Sequence, residues 1–194
     1  FASCQRYSDA DALAQALNIA KVAYVPLGPR TYEAELTGMQ LGTLALHHVR
    51  DDAHVAQAST MPGTVTMLFG LGSPGDAIVN GVPVECGVTY LLGPGGPLHG
   101  ICRSRLDWAS LTLPIDEFAP LIDLWGASMV RPNEARTMRF ESWAMEVIDA
   151  GLRAAIAHAP RIAAGAHSRA DIHGLHDGLR ETLGSLAGAL DAEP

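Results

Sequence analysis

The sequence predicts an α+β fold. An antiparallel β-barrel or sandwich covers residues 1–114, opened by one short helix, and a helical segment covers residues 115–194. Three observations predict it. Residues 20–114 hold most of the glycine and proline, and their β-branched and aromatic residues come in short runs. Residues 115–190 are rich in Ala, Leu and Arg at helical spacing. No helix-length pattern separates the strand candidates, so the crossovers that a parallel sheet needs are missing.

The first element is a helix over residues 9–17, with Ser8 as its cap. Asp9 and Asp11 favour the positive helix N-terminus, and Leu13 and Leu17 lie one turn apart. Strands follow at Val22–Leu27, closed by Gly28-Pro29, then at Tyr32–Leu36 and Gln40–Val49, with Thr37-Gly38 read as the turn between them. Gly63–Phe69, Ala77–Val79 and Val82–Val84 come next. Asn80-Gly81 joins the last two and is the strongest hairpin signal, because both residues tolerate the positive φ of a type I′ turn. Val88–Leu92, Gly100–Arg105 and Trp108–Leu113 complete the set, and Pro114 ends it. Short strands at this spacing indicate a sandwich or small barrel.

Three helices are predicted in the second half. Asp116–Gly126 carries Phe118, Leu121, Ile122 and Trp125 on one face. Glu134–His158 starts from an Asn133 cap and is stopped by Pro160. Its stripe is Phe140, Trp143, Val147, Ala150 and Ala154, widened by Ala144, Ile148 and Ile156. Arg169–Leu190 places Ile172, Leu175, Leu179, Leu183, Leu186 and Leu190 on one narrow seam. Its internal Gly174, Gly178, Gly184 and Gly188 each cost a helix about 1 kcal/mol relative to Ala, so packing must hold it. The seam is read as a homodimer contact.

Charge narrows the function. Thirteen basic and 21 acidic residues give a net charge of −8. Nucleic acid is held largely by clustered positive charge, so direct DNA or RNA binding by this chain is not expected. No apolar run reaches the roughly 18 residues of a membrane span. The N-terminus lacks the basic region and apolar run of a secretory signal. Cys4, Cys86 and Cys102 are odd in number and far apart, which reads as reduced, mostly buried thiols in a cytoplasmic protein. The chain opens on Phe1 rather than methionine and stops at Pro194, which reads as a piece of a longer protein.

The chemistry-bearing residues give no catalytic constellation. Gly-x-Ser-x-Gly is absent, and nothing near Cys102 in sequence signals an activating base. Gly70 to Gly75 lacks the Lys-Ser/Thr ending of a phosphate loop and reads as a hairpin loop. Glu33 and Glu35 share a solvated strand face, and His173 and His176 a solvated helix face. His47 and His48 are adjacent and face opposite sides of a strand. Pro94-x-Gly96-x-x-His99 resembles the second half of the cupin signature, whose Pro-x-Gly turn delivers a metal-binding His. The His-x-His of the first half is absent, and a lone imidazole does not hold a catalytic metal. No metal and no cofactor are therefore expected. A cupin-type metal-dependent dioxygenase or isomerase would need His99, His47 or His48, and Glu85 to converge on an ion.

An apolar interior remains. Strand parity pairs Met67 with Phe69, Tyr90 with Leu92, and Trp108 with Ser110. A small barrel either fills itself or holds one small ligand. The candidate ligand pocket is Met67, Phe69, Tyr90, Leu92 and Trp108, with His99 at its mouth.

The order of these features resembles the N-terminal sensor half of AraC/XylS-type transcription regulators. The features are Asp-x-Asp-x-Leu-Ala-x-x-Leu from Asp9 to Leu17, a strand ending Pro26-Leu-Gly28, Gly38-x-x-x-Gly42, the Asn80-Gly81 hairpin, a Pro-Gly-rich turn, Leu106-Asp-Trp108, a strand closed by Leu113-Pro114, and helices last. The resemblance implies a cupin-like β-barrel that binds a small-molecule effector or mediates dimerisation, then helices for dimerisation. It implies DNA binding only through a C-terminal helix-turn-helix domain that this sequence lacks.

Overall fold

The computed structural model describes residues 1–17, 20–28, 31–71, 76–85, 87–125 and 130–186. In chain order the elements are β1 (Ala2–Tyr7), α1 (Ala10–Ala16), β2 (Ala20–Pro26), β3 (Ala34–Leu41), β4 (Leu44–Asp51), β5 (His54–Thr60) and β6 (Thr64–Gly70). Then come β7 (Ala77–Val79), β8 (Val82–Pro83), β9 (Val88–Leu92), β10 (Pro97–Cys102), β11 (Leu106–Pro114), α2 (Ile115–Trp125), β12 (Ala135–Arg139), α3 (Ser142–Ala163) and α4 (Arg169–Ser185). The described strands pair antiparallel in a seven-stranded sheet, β1-β3-β4-β11-β6-β9-β12, and a five-stranded sheet, β2-β5-β10-β7-β8. The α+β class, with an antiparallel sandwich followed by helices, is therefore the architecture of the chain.

Local chemistry accounts for several elements. Asp9, not Ser8, caps α1: its carboxylate accepts from the Asp11 N–H at 3.0 Å. Asn80 and Gly81 have φ of 49° and 81°, and β7 and β8 pair across them as the Asn-Gly signal requires. The expected turn at Thr37-Gly38 does not form. Both residues lie inside β3, opposite His48 and His47, and the chain turns instead at Gly42, where φ is +64°. Gly38 is tolerated mid-strand because the His47 ring lies where a side chain would project; a Cβ there would sit 3.4 Å from its Cδ2.

Strand β5 is built from small and polar residues, so it lacks the apolar alternation that marks a strand. Pairing with β2 on one side and β10 on the other holds it. The polar β1 is likewise held by its register with β3. Residues 135–139, expected to be helical, form β12 and extend the large sheet beside β9. Asn133 does not cap a helix but takes a left-handed turn, φ 60°, with its N–H bonded to the Pro94 carbonyl at 2.8 Å. The helical segment is thus interrupted by a strand belonging to the sheet before it.

That strand shifts the phase of α3. Its buried residues are Ala144, Met145, Ile148, Leu152, Ala155, Ala159 and Ile162, while Trp143 and Val147 of the expected stripe are exposed. Phe140 is buried, but in the bridge just past β12 rather than on the helix. Pro160 does not stop α3; it sits in the last turn, where its missing N–H costs one bond.

The outer face of the seven-stranded sheet carries the main core. Met39, Leu46, Met67, Leu91 and Leu111 pack there with Phe118 of α2 and the buried faces of α3 and α4. The leucine seam is used within this core. Leu179, Leu183 and Leu186 are at most 3% exposed, and Ile172 and Leu175 pack against the same cluster. The apolar pattern read as a partner-facing surface is thus turned toward this chain's own sheet; Leu190 lies outside the described residues. A Ser168–Asp171 capping box starts α4, and Gly151 lets it approach α3 closely.

The Pro-Gly turn after β9 is fixed by backbone contact. The Gly93 N–H bonds the Glu134 carbonyl at 3.0 Å, and a Cβ at Gly93 would overlap the Arg131 carbonyl. Gly93→Ala is expected to lower the unfolding free energy by about 2–3 kcal/mol, since one backbone must move from another. Urea denaturation checks this; a loss under about 0.5 kcal/mol would show that the turn yields freely.

Candidate functional site

Between the two sheets lies a partly open cavity of about 100 Å³. Alternate residues of each strand face it: Val22 and Tyr24 on β2, Ala56 and Ala58 on β5, Thr66 and Leu68 on β6, Tyr90 and Leu92 on β9, Leu98 and Gly100 on β10, and Trp108 and Ser110 on β11. Leu17, just past α1, closes one end. The small side chains of β5 and Gly100 leave the space open.

Most polar groups in the wall are already bonded. Thr60 donates to the Gly93 carbonyl at 2.5 Å and accepts from the Gly96 N–H at 3.0 Å. Thr66 and Thr112 share a hydrogen bond of 2.9 Å. The Tyr90 hydroxyl donates toward the Pro83 and Val82 carbonyls at 3.0 and 3.2 Å. Burial pushes the Cys102 thiol up to about 12, which keeps it protonated. Ser110 Oγ is different: it is fully buried and has no protein partner.

One end of the cavity rests on a buried polar cluster. Asp51 is 0% exposed. Its carboxyl lies 3.3 Å from the Tyr32 hydroxyl, 3.3 Å from the Trp108 indole nitrogen and 3.3 Å from His54 Nδ1. His54 Nδ1 comes closer, 2.8 Å, to the Asp52 carbonyl, and its ring meets the Tyr24 ring edge-on at 4.6 Å. Burial is the largest influence on both groups. It raises the Asp51 carboxyl to about 7, against the lowering effect of the Trp108 and Tyr32 hydrogen bonds, and it lowers the His54 imidazole. Although the spacing would allow an ion pair, both groups are driven toward their neutral forms, and the His54 Nδ1 hydrogen bond goes to the Asp52 carbonyl, so the Asp51–His54 approach is a contact rather than an ion pair.

Of the residues expected at the pocket, Tyr90, Leu92 and Trp108 line it. Phe69 touches it but belongs to the core on the other face of β6. Met67 lies wholly on that other face, because the cavity side of β6 is Thr66, Leu68 and Gly70. His99 is exposed on the outer face of β10, so it does not stand at the mouth. Sequence reasoning missed His54, on a strand that carried no signal, Leu68, on the opposite parity of β6, and Tyr24, on a strand that was expected but not assigned to the pocket wall. Cys4 is exposed, contrary to the expectation of buried thiols; Cys86, like residues 72–75 of the glycine loop, lies outside the described residues.

The metal-dependent alternative requires residues that do not meet. His48 bonds Asp107 at 2.7 Å, Glu85 pairs with Arg139 on the surface, and His99 points away from the cavity. Among the described residues no group of three or more His, Cys, Asp or Glu is placed to hold a metal ion. Among the same residues no helix is long and apolar enough to cross a membrane.

No protein-family profile matches the chain, and no curated protein sequence matches it. Among solved structures, the AraC-like transcriptional activator CuxR matches at a TM-score of 0.66 and 14% identity, covering 100% of this chain and 72% of that one. The Streptomyces albus protein HEPD, with 2-hydroxyethylphosphonate and Fe(II) bound, covers 97% of this chain and 47% of its own at a TM-score of 0.32 and 14% identity. The salicylate 1,2-dioxygenase of Pseudoaminobacter salicylatoxidans covers 70% and 42% at a TM-score of 0.22 and 17% identity. The first likeness establishes a shared fold; the other two are too distant to carry an argument.

Proposed function

We propose that this chain is the ligand-sensing and dimerisation part of an AraC-type transcription regulator that works in the cytoplasm as a homodimer. DNA is contacted by a separate helix-turn-helix domain, in keeping with the acidic balance of this part. The observation that supports the reading best is the extent of the shared fold: it takes in the helices as well as the sandwich. The cavity between the sheets, lined almost wholly by apolar side chains, supports a place for an effector. A ligand there changes the regulator only by binding one arrangement of the helices more tightly than another.

Ala56→Trp tests this reading by filling the cavity from β5. In the full-length regulator the variant is expected to remain dimeric by sedimentation and to lose effector-dependent transcription from its promoter. A response that survives the filled cavity would overturn the sensor role. A wild-type protein that stays monomeric at all concentrations would overturn the dimer.

A further inference from the structure

The inner face of the seven-stranded sheet carries two unpartnered polar side chains side by side. Ser110 on β11 is directly opposite His47 on β4, and His47 is opposite Gly38 on β3. Ser110 is fully buried and His47 is 6% exposed. Neither Ser110 Oγ nor His47 Nδ1 has a hydrogen-bond partner in the protein. Leaving a buried polar atom unbonded is costly, and two as cross-strand neighbours is uncommon. Ser110 lines the 100 Å³ cavity, and His47, its cross-strand neighbour, lines a second hollow of about 190 Å³ toward the β1 edge, beside Ser3 and Gln5. Side chains opposite one another on a sheet face have Cβ atoms about 5 Å apart, so the two unpartnered polar groups are immediate neighbours.

We propose that His47 and Ser110 are the polar anchor of the cavity. Its ligand is an uncharged, mainly apolar molecule of about one ring, bearing a single hydroxyl or carbonyl group. The inference rests on the reading of the cavity as a sensor site and names the class of ligand. Three features define that class. The size is near that of a cavity, about 150 Å³, that accepts benzene. Among the described residues no Asp, Glu, Lys or Arg lines the wall, so a carboxylate or phosphate would be buried without a counter-charge. The anchor itself is neutral, because burial lowers the His47 imidazole to about 4, and it offers both a donor and an acceptor.

Calorimetric titration with phenol, toluene and benzoate, on the wild type and on Ser110→Ala, tests the proposal. Phenol is expected to bind the wild type about tenfold more tightly than toluene, the worth of one hydrogen bond made in a dry site. Ser110→Ala is expected to abolish that preference, leave toluene binding unchanged and not lower the melting temperature of the free protein. The ring nitrogen signals of His47 in a nitrogen-15 spectrum are expected to shift with phenol and not with toluene. Equal binding of phenol and toluene by the wild type would overturn the anchor while leaving the cavity as a ligand site. Tightest binding of benzoate would overturn the uncharged class. If neither phenol nor toluene enters, the sensor reading falls together with the anchor.

Discussion

Asp51→Ala is expected to destabilise the protein by about 3–5 kcal/mol, the cost of removing one member of a buried polar cluster. The carboxyl is the shared partner of Tyr32, Trp108 and His54, all of them mostly buried. Deleting it leaves a hydroxyl and an indole N–H without their partner, while His54 keeps its bond to the Asp52 carbonyl. Urea denaturation measures the loss, and a value under about 1 kcal/mol would mean that the cluster is incidental. Asp51→Asn keeps the shape and isolates the titration. The carboxyl sits at about 7 in the folded protein and at 3.8 when exposed. Between those values the folded chain holds a proton that the unfolded chain releases, so Asp51 weakens the fold as pH rises from about 4 to 7. Relative to the wild type, Asp51→Asn should therefore gain a few kcal/mol across that range. His47 runs the other way in both proteins. Its depressed value means that its contribution is lost as pH falls from about 6.5 to 4, and the comparison cancels it. A difference that is flat with pH would refute the raised carboxyl.

Leu183→Asp should cost 4 kcal/mol or more, because it places an unpaired charge in the core beneath α4. The informative result is how that loss depends on concentration. Since Leu179, Leu183 and Leu186 pack within their own chain, the fall in melting temperature should be the same in dilute and concentrated protein. A loss that diluting the wild type reproduces would instead place the seam between two chains.

The seam shows both the reach and the limit of the sequence. Its spacing located α4 within the described residues, but an apolar stripe does not say whether its cover is a second chain or the same one. The Asn80-Gly81 hairpin was legible because its conformational requirement is local. Strands β5 and β12 were not, since His54–Thr60 and Ala135–Arg139 are strands by virtue of their neighbours' hydrogen bonds rather than their own propensity. Missing β12 placed Phe140 on a helix and rotated the expected face of α3. At the cavity, Tyr90, Leu92 and Trp108 were found by alternation. On β6 alternation pairs Met67 with Phe69, but it does not say which parity faces inward; that pair faces the helices and the cavity takes Thr66 and Leu68. His54 sits on β5, which left no trace, and Tyr24 on the neighbouring β2, whose strand was legible but whose pairing partner was not.

The seven-stranded sheet is one peptide layer thick, with the cavity on its front and α2, α3 and α4 on its back. On β11, Ser110 faces the hollow while Ala109 and Leu111 press into the helical side. Neighbouring residues on a strand are about 3.3 Å apart. The sheet is therefore a party wall: the hollow and the helical core are separated by a single layer of backbone.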